Sequence, residues 1–306
     1  GSGCIQCLRK NIATFVKEVI TMDLLQVVSV ENMRKSDAHT IEHHTSSAEL
    51  MYRAAQGIYD AVQFVGNVAI VCGKGNNAGD GYALACILCK NGVIPTIFRA
   101  SDGFSKDGLY YYKTALSLGA HEEIIELANG FTGYDIVVDC LLGTGFSGEL
   151  KGQIRYAVEQ INSSNAYVVS ADINSGLNGD TGVADIAVNS DLTVSIGAYK
   201  TGLFLNDAPY YIDKLVNADI GIHMLKEEYK LIDYSLLHMF EGYNSEVMNI
   251  EELFEKYGYE PESCNVAECL AQISSEKRKT IVVKTEHSAV IADLKYIYFC
   301  ADYVRV

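Results

Sequence analysis

In GKGNNAGDG (Gly73–Gly81), two Asn and an Asp interrupt a glycine-rich turn that directly follows the apolar run Val68–Cys72. Gly73, Gly75 and Ala78 satisfy the generic G-x-G-x-x-G/A pattern for a dinucleotide, and Arg99, after the next apolar run, could then meet a 2′-phosphate. Asn76, Asn77 and Asp80 fall outside that explanation, because a carboxylate in such a turn repels the pyrophosphate. Asp139 lies inside a second apolar run, DIVVDCLL, where burial is costly unless an ion or hydrogen bonds compensate the charge. Asp172 closes a third, with Ser175 three residues beyond it, and GTGFSGE (Gly143–Glu149) can offer backbone N–H groups to phosphates.

The elements that must position these groups alternate in type. Strands are expected at Val68–Cys72, Pro95–Arg99, Asp135–Leu141, Tyr167–Asp172 and Leu192–Gly197. Amphipathic helices are expected at Tyr82–Lys90, Leu109–Leu118 and Gly152–Asn162, with two more ahead of the sheet at Val30–His44 and Ser46–Phe64. This order predicts a three-layer α/β/α, Rossmann-like, mostly parallel sheet with a small C-terminal appendage. Ligands bind such sheets beyond the carboxyl ends of the strands, so the three polar loops should face one crevice.

Composition narrows the function classes. The chain has 306 residues, 49% hydrophobic content and a formal net charge of −15, which disfavours nucleic acid as the main partner. No apolar run is long enough for a membrane span, and Gly1–Gly3 reads as a cloning remnant, so a cytoplasmic protein is expected. The nine Cys include Cys72, Cys86, Cys89 and Cys140 in apolar stretches, which suits a reducing compartment. Cys4/Cys7 and Cys86/Cys89 lack a second pair at zinc spacing, and His39, His43 and His44 are expected on a solvated face.

Taken in order, ENMRKSDAHTIE, ELMYRAAQGI, GNNAGDG, VVDCLLGTGFSGE, SADINSGLNGDTG, DLTVSIGAYKTGL and LVNADIGI resemble the NAD(P)H-hydrate epimerases, the YjeF N-terminal domain family, over roughly Val30 to Ile222. The resemblance implies an isomerase of nicotinamide cofactor repair that interconverts the R and S epimers of hydrated NADH or NADPH (NADHX, NADPHX) beside a bound potassium ion. It implies potassium ligands at Asn77, Asp139 and Ser175. Substrate contacts are implied at Asn76, Asn77, Ala78, Gly79 and Asp80, at Gly143, Thr144, Gly145, Phe146, Ser147, Gly148 and Glu149, and at Asp172. An Asn carbonyl, a carboxylate and a hydroxyl are suitable oxygen donors for a hard monovalent cation. Asp172, outside the cation set and at the end of its strand, is the expected proton-transfer residue.

The chain departs from the family pattern at Ala78, where glycine is usual and a negative φ is required, and at Asn174, where proline is usual. Neither removes an expected ligand. The expected organisation is an N-terminal extension at 1–29, the epimerase-like domain at 30–223 and an appendage at 224–306. The appendage, with a helix at Val266–Ser274 and strand-like runs at Thr280–Lys284 and Ala289–Phe299, loosely resembles a remnant of the dehydratase domain fused to many family members, without its glycine-rich nucleotide loop. A homodimer is a further expectation. Two other readings stay open: a catalytically silent scaffold of the same fold, and an NADP-dependent oxidoreductase. Asn77, Asp80, Asp172 and Ser175 could also serve only as turn or helix caps.

Overall fold

The computed structural model describes residues 26–260 and 265–305. Expectations for Cys4, Cys7 and most of the N-terminal extension lie outside these residues. Two compact units are present, one formed by 28–227 with 303–305 and the other by 26–27 with 228–302.

In chain order the elements up to residue 218 are β1 (Gln26–Val28), α1 (Val30–His43), α2 (Ser47–Ala61), β2 (Val68–Cys72), α3 (Asn76–Lys90), β3 (Thr96–Arg99), α4 (Lys106–Ser117), β4 (His121–Ile124), β5 (Ile136–Cys140), α5 (Gly152–Asn162), β6 (Tyr167–Ala171), β7 (Leu192–Ile196), β8 (Tyr199–Lys200), α6 (Ala208–Tyr211) and β9 (Leu215–Ala218). The larger unit is built on a seven-stranded sheet in the order β4-β3-β2-β5-β6-β7-β9. Every neighbouring pair in it is parallel. β2, β5 and β7 are buried at every position, including Asp139 of β5 and Thr193 and Ser195 of β7, which demands cover on both faces.

That cover comes as two separate hydrophobic clusters. On one face Leu50, Met51, Ala54, Ala55 and Ile58 of α2 pack with the apolar stripe of α3 against Ile70, Val138 and Val194. On the other, Ala157, Val158 and Ile161 of α5 pack with Phe131 against Val71, Val137 and Val168. Each large aliphatic side chain so buried contributes about 1.5–3 kcal/mol of transfer free energy. The strand order reverses between β2 and β5, the place where an open parallel sheet leaves a crevice beyond its carboxyl ends.

One element begins earlier than expected. Residues Asn76–Gly81 form the first turns of α3, with Gly75 as N-cap, where a loop is expected before Tyr82. Close approach offsets the poor helix propensity of the glycines: a Cβ on Gly81 would lie 3.0 Å from the sulfurs of both Cys72 and Cys140, so glycine lets α3 lie directly on the sheet. Ala78 is helical and fully buried, consistent with the negative φ required of it.

The smaller unit continues with β10 (Tyr229–Leu231), β11 (Ser245–Met248), α7 (Ile250–Tyr257), α8 (Val266–Lys277), β12 (Thr280–Lys284), β13 (Ser288–Ala292) and β14 (Ile297–Ala301). Its strands run β11-β12-β13-β14-β10-β1, mixing parallel and antiparallel pairs. The apolar run from Ala289 to Phe299 is divided by a turn in which Asp293 accepts from the Tyr296 N–H, giving two antiparallel strands where one is expected. The units divide at Glu227/Glu228, and 303–305 return to the larger one, where the Leu215 N–H donates to the Tyr303 carbonyl and the Arg305 N–H to the Leu215 carbonyl.

Candidate functional site

A cleft of about 800 Å³ opens beyond the carboxyl ends of β2, β5 and β6 in the larger unit, a size suited to a cofactor-like molecule. Asn76, Asn77 and Asp80 reach it from the start of α3, Gly143–Ser147 from the loop after β5, and Asp172 from the end of β6. The three polar loops therefore do share one crevice. Ala78 and Gly79 do not line it: Ala78 is fully buried, and Gly79 packs against Met51 and Gly108, which a Cβ there would meet. Gly148 and Glu149 lie past its rim, the latter exposed beside Lys151.

Asp139 and Ser175 lie beneath the cleft floor, both fully buried. Asp139 accepts four hydrogen bonds: from the Leu141 N–H at 3.2 Å and the Ser175 hydroxyl at 2.6 Å on Oδ1, and from the Ser170 hydroxyl and the Ser175 N–H, both at 2.9 Å, on Oδ2. Burial pushes its carboxyl above the ordinary range, with the Ser175 bonds opposing. Ser175 in turn accepts from the Leu142 N–H at 2.9 Å, and the Asn77 amide donates to the Leu142 carbonyl at 2.8 Å. The three residues are thus chained through Leu142. Asn77 Oδ1 is buried without any hydrogen-bond partner, an acceptor whose lone pairs face no donor. An unsatisfied amide oxygen linked through Leu142 and Ser175 to a buried carboxylate fits a monovalent cation. Among the described residues no group of three His, Cys, Asp or Glu could hold a metal ion.

Two residues without a sequence-level assignment complete the site. Lys200, 1% exposed, directs its ammonium to Asp172 Oδ1, to the Ile196 carbonyl at 2.7 Å and to the Ser195 hydroxyl at 3.4 Å. Asp37 lines the cleft from α1, and burial pushes its carboxyl up to about 6, with Lys200 pulling it down and Asp172 adding to the rise. Asp80 is raised well above the carboxylate range, first by desolvation and then by Asp172 and Asp37, with Lys200 opposing. Asp172 thus pairs with the buried ammonium, and Asp37 and Asp80 share its cleft. The available signal for Lys200 was a lone charge in the largely apolar stretch SIGAYKTGL; Asp37 read as part of a polar helix face.

Arg99 is committed elsewhere. Its guanidinium sits 4.3 Å from the Phe104 ring centroid, 3.6 Å from a Glu122 oxygen, and donates to the Ser101 carbonyl at 3.1 Å. It does not line the cleft, which removes the 2′-phosphate contact from the oxidoreductase reading. His39, His43 and His44 lie on the outer part of α1 and its C-cap, with His44 stacked on His223 at 3.6 Å. Asn174 is fully buried: its amide donates to the carbonyls of Val188 and Tyr211 and to Ser190 Oγ, and its oxygen accepts from Thr193 at 2.6 Å.

A family model described as YjeF-related protein N-terminus matches residues 47–202, which include every polar loop of the cleft. The chain belongs to this family. Among its relatives, a bifunctional NAD(P)H-hydrate repair enzyme Nnr of Coxiella burnetii is 32% identical over 62% of this chain and 40% of the relative. An NAD(P)H-hydrate epimerase of Limosilactobacillus fermentum is 30% identical over 63% of this chain and 96% of the relative. The chain thus matches less than half the length of the bifunctional YjeF relatives and nearly all of the shorter one. The crystal structure of yeast ynu0 aligns with a TM-score of 0.53 at 20% identity, over 58% of this chain and 83% of the other, and shares the YjeF-type fold. Among the described residues no helix is long and apolar enough to cross a membrane.

Proposed function

We propose that this chain epimerises the R and S forms of hydrated NADH or NADPH, as an isomerase of nicotinamide cofactor repair acting in the cytoplasm. The observation that carries the reading is the convergence of Asn77, Asp80, the Gly143–Ser147 loop and Asp172 on one cleft over the chained trio Asn77, Asp139 and Ser175. Relatives named NAD(P)H-hydrate epimerase support the substrate class. The N–H groups of the Gly143–Ser147 loop suit the cofactor's phosphates. The unpartnered Asn77 oxygen favours this enzyme over a silent scaffold, which has no need to keep an unsatisfied buried acceptor.

Potassium would be held by Asn77 and Ser175 with Asp139 supplying the neutralising charge, and its role when bound is to fix the loops that carry these residues and compensate the buried carboxylate. Inversion at a carbon bearing a hydroxyl beside a ring nitrogen proceeds through loss and re-addition of that hydroxyl. The departing oxygen takes a proton and leaves as water; water adding to the other face gives one up. Asp172 is the proton acceptor in this reading, and Asp80, whose carboxyl is pushed upward first by desolvation, is the donor. Asp172→Asn keeps the shape and removes the acceptor, with an expected loss of ~10²–10⁴-fold in R/S interconversion followed by chromatography. Near-parental turnover of Asp172→Asn alongside an inactive Asp80→Asn would move the acceptor role away from Asp172.

A further inference from the structure

Asp172 is held in a conformation that few side chains tolerate. Its φ is +67°, in the left-handed region, which for a residue other than glycine persists only where surrounding contacts over-determine it. Those contacts are present. The Asp172 N–H donates to the Val194 carbonyl at 2.8 Å, and Oδ1 receives both the Lys200 ammonium and the Ile196 N–H. Oδ2 makes no hydrogen bond with any described residue and lies 3.7 Å from where a Cβ would stand on Gly143, within the cleft.

Lys200 is equally constrained. An ammonium has three donors, and here Asp172, the Ile196 carbonyl and Ser195 take one each, so it has none left for a ligand. A buried lysine is expensive unless paired and hydrogen-bonded, which makes its place in the cleft lining a matter of what it does to its partner.

Resting on the epimerase reading above, we propose that Lys200 is a positioning residue for the reaction: it pins Asp172 through Oδ1 and leaves Oδ2 as the single oxygen offered to the substrate as proton acceptor. Lys200 acts through Asp172 and does not touch the substrate. The other groups facing the Lys200–Asp172 pair are Asp37 from α1 and Asp80 from α3, with Arg34 and Lys74 on the same cleft wall. Without the ammonium, Asp172 loses the contact that fixes which of its oxygens faces the cleft.

The test is a cycle of Lys200→Met, Asp172→Asn and the double variant, read by interconversion kinetics and by ¹³C titration of the Asp37 carboxyl. Lys200→Met should lose at least ~10²-fold in kcat with KM within about threefold, and the double variant should be no slower than Asp172→Asn alone. The paired removal takes out both charges together, so it keeps the test open even if Lys200→Met fails to fold. Lys200→Met should move the Asp37 titration to higher pH and Asp172→Asn should move it lower, as the opposite charges of the two groups require. Multiplicative losses in the double variant, or parental kcat in Lys200→Met, would overturn the assignment. An unmoved Asp37 titration in folded Lys200→Met would overturn the geometry by itself, a result that does not depend on the parent being an epimerase.

Discussion

Replacing Asp37 by Asn should make the protein more stable at neutral pH and not at acid pH. In the folded chain Asp37 keeps its proton up to about 6, against an ordinary value of 3.8. Between those values the unfolded chain binds fewer protons than the folded one, so stability falls as pH rises through the window. The penalty is absent below pH 3.8 and complete above pH 6. About 2 units at 1.36 kcal/mol per unit give an upper figure of about 3 kcal/mol, reduced to roughly 1–3 kcal/mol because Asp37 is only half-buried. Urea unfolding of parent and Asp37→Asn from pH 4 to pH 8 reads the difference directly. Any constant cost of burying the amide cancels in the slope, and loss of the Asp37 charge also relieves Asp80, which acts in the same direction. A stability difference that is flat across this range would refute the desolvated state of Asp37, and with it the crowding of Asp37, Asp80 and Asp172 in one cleft.

Potassium should raise the thermal midpoint relative to tetramethylammonium at equal ionic strength, by the equivalent of about 2.7 kcal/mol at a hundredfold excess over Kd, and Asp139→Ala should abolish the difference. Equal midpoints for the parent in the two salts would remove the cation site. Asn174→Pro should destabilise by at least about 2 kcal/mol in denaturant titration, because it strips four hydrogen bonds and leaves the buried Thr193 and Ser190 hydroxyls to repair their own network. A neutral result would mean that the proline's fixed φ compensates for the lost amide.

The centre of the sheet was legible because β2 is buried on both faces and reads as an unbroken apolar run, whereas the exposed edge strand β4 carries no such pattern; Val68–Cys72 and the helix Gly152–Asn162 have the expected bounds. The polar loops were legible for the same reason, since Asn77, Asp139 and Asp172 stand out within or after such runs. The start of α3 was not, because Gly79 and Gly81 argue locally for a loop and only their packing on Gly108 and on Cys72 and Cys140 makes a helix worthwhile. Lys200 and Asp37 were hidden because a lone charge in sequence carries no sign of its partner. Asp172 is 28 residues from Lys200, and Asp37 reaches the same cleft from a helix ahead of the sheet. The turn that splits the 289–299 run likewise depends on Asp293 capping Tyr296, a local bond that periodicity cannot reveal.

The most direct measurement is the rate of R/S interconversion of NADHX by the purified chain in potassium buffer, followed by chromatography with the spontaneous rate subtracted. The account predicts a rate well above spontaneous that is lost in Asp172→Asn. A parent protein that never exceeds the spontaneous rate, while remaining folded and stabilised by potassium, would contradict it and assign the cleft to binding alone.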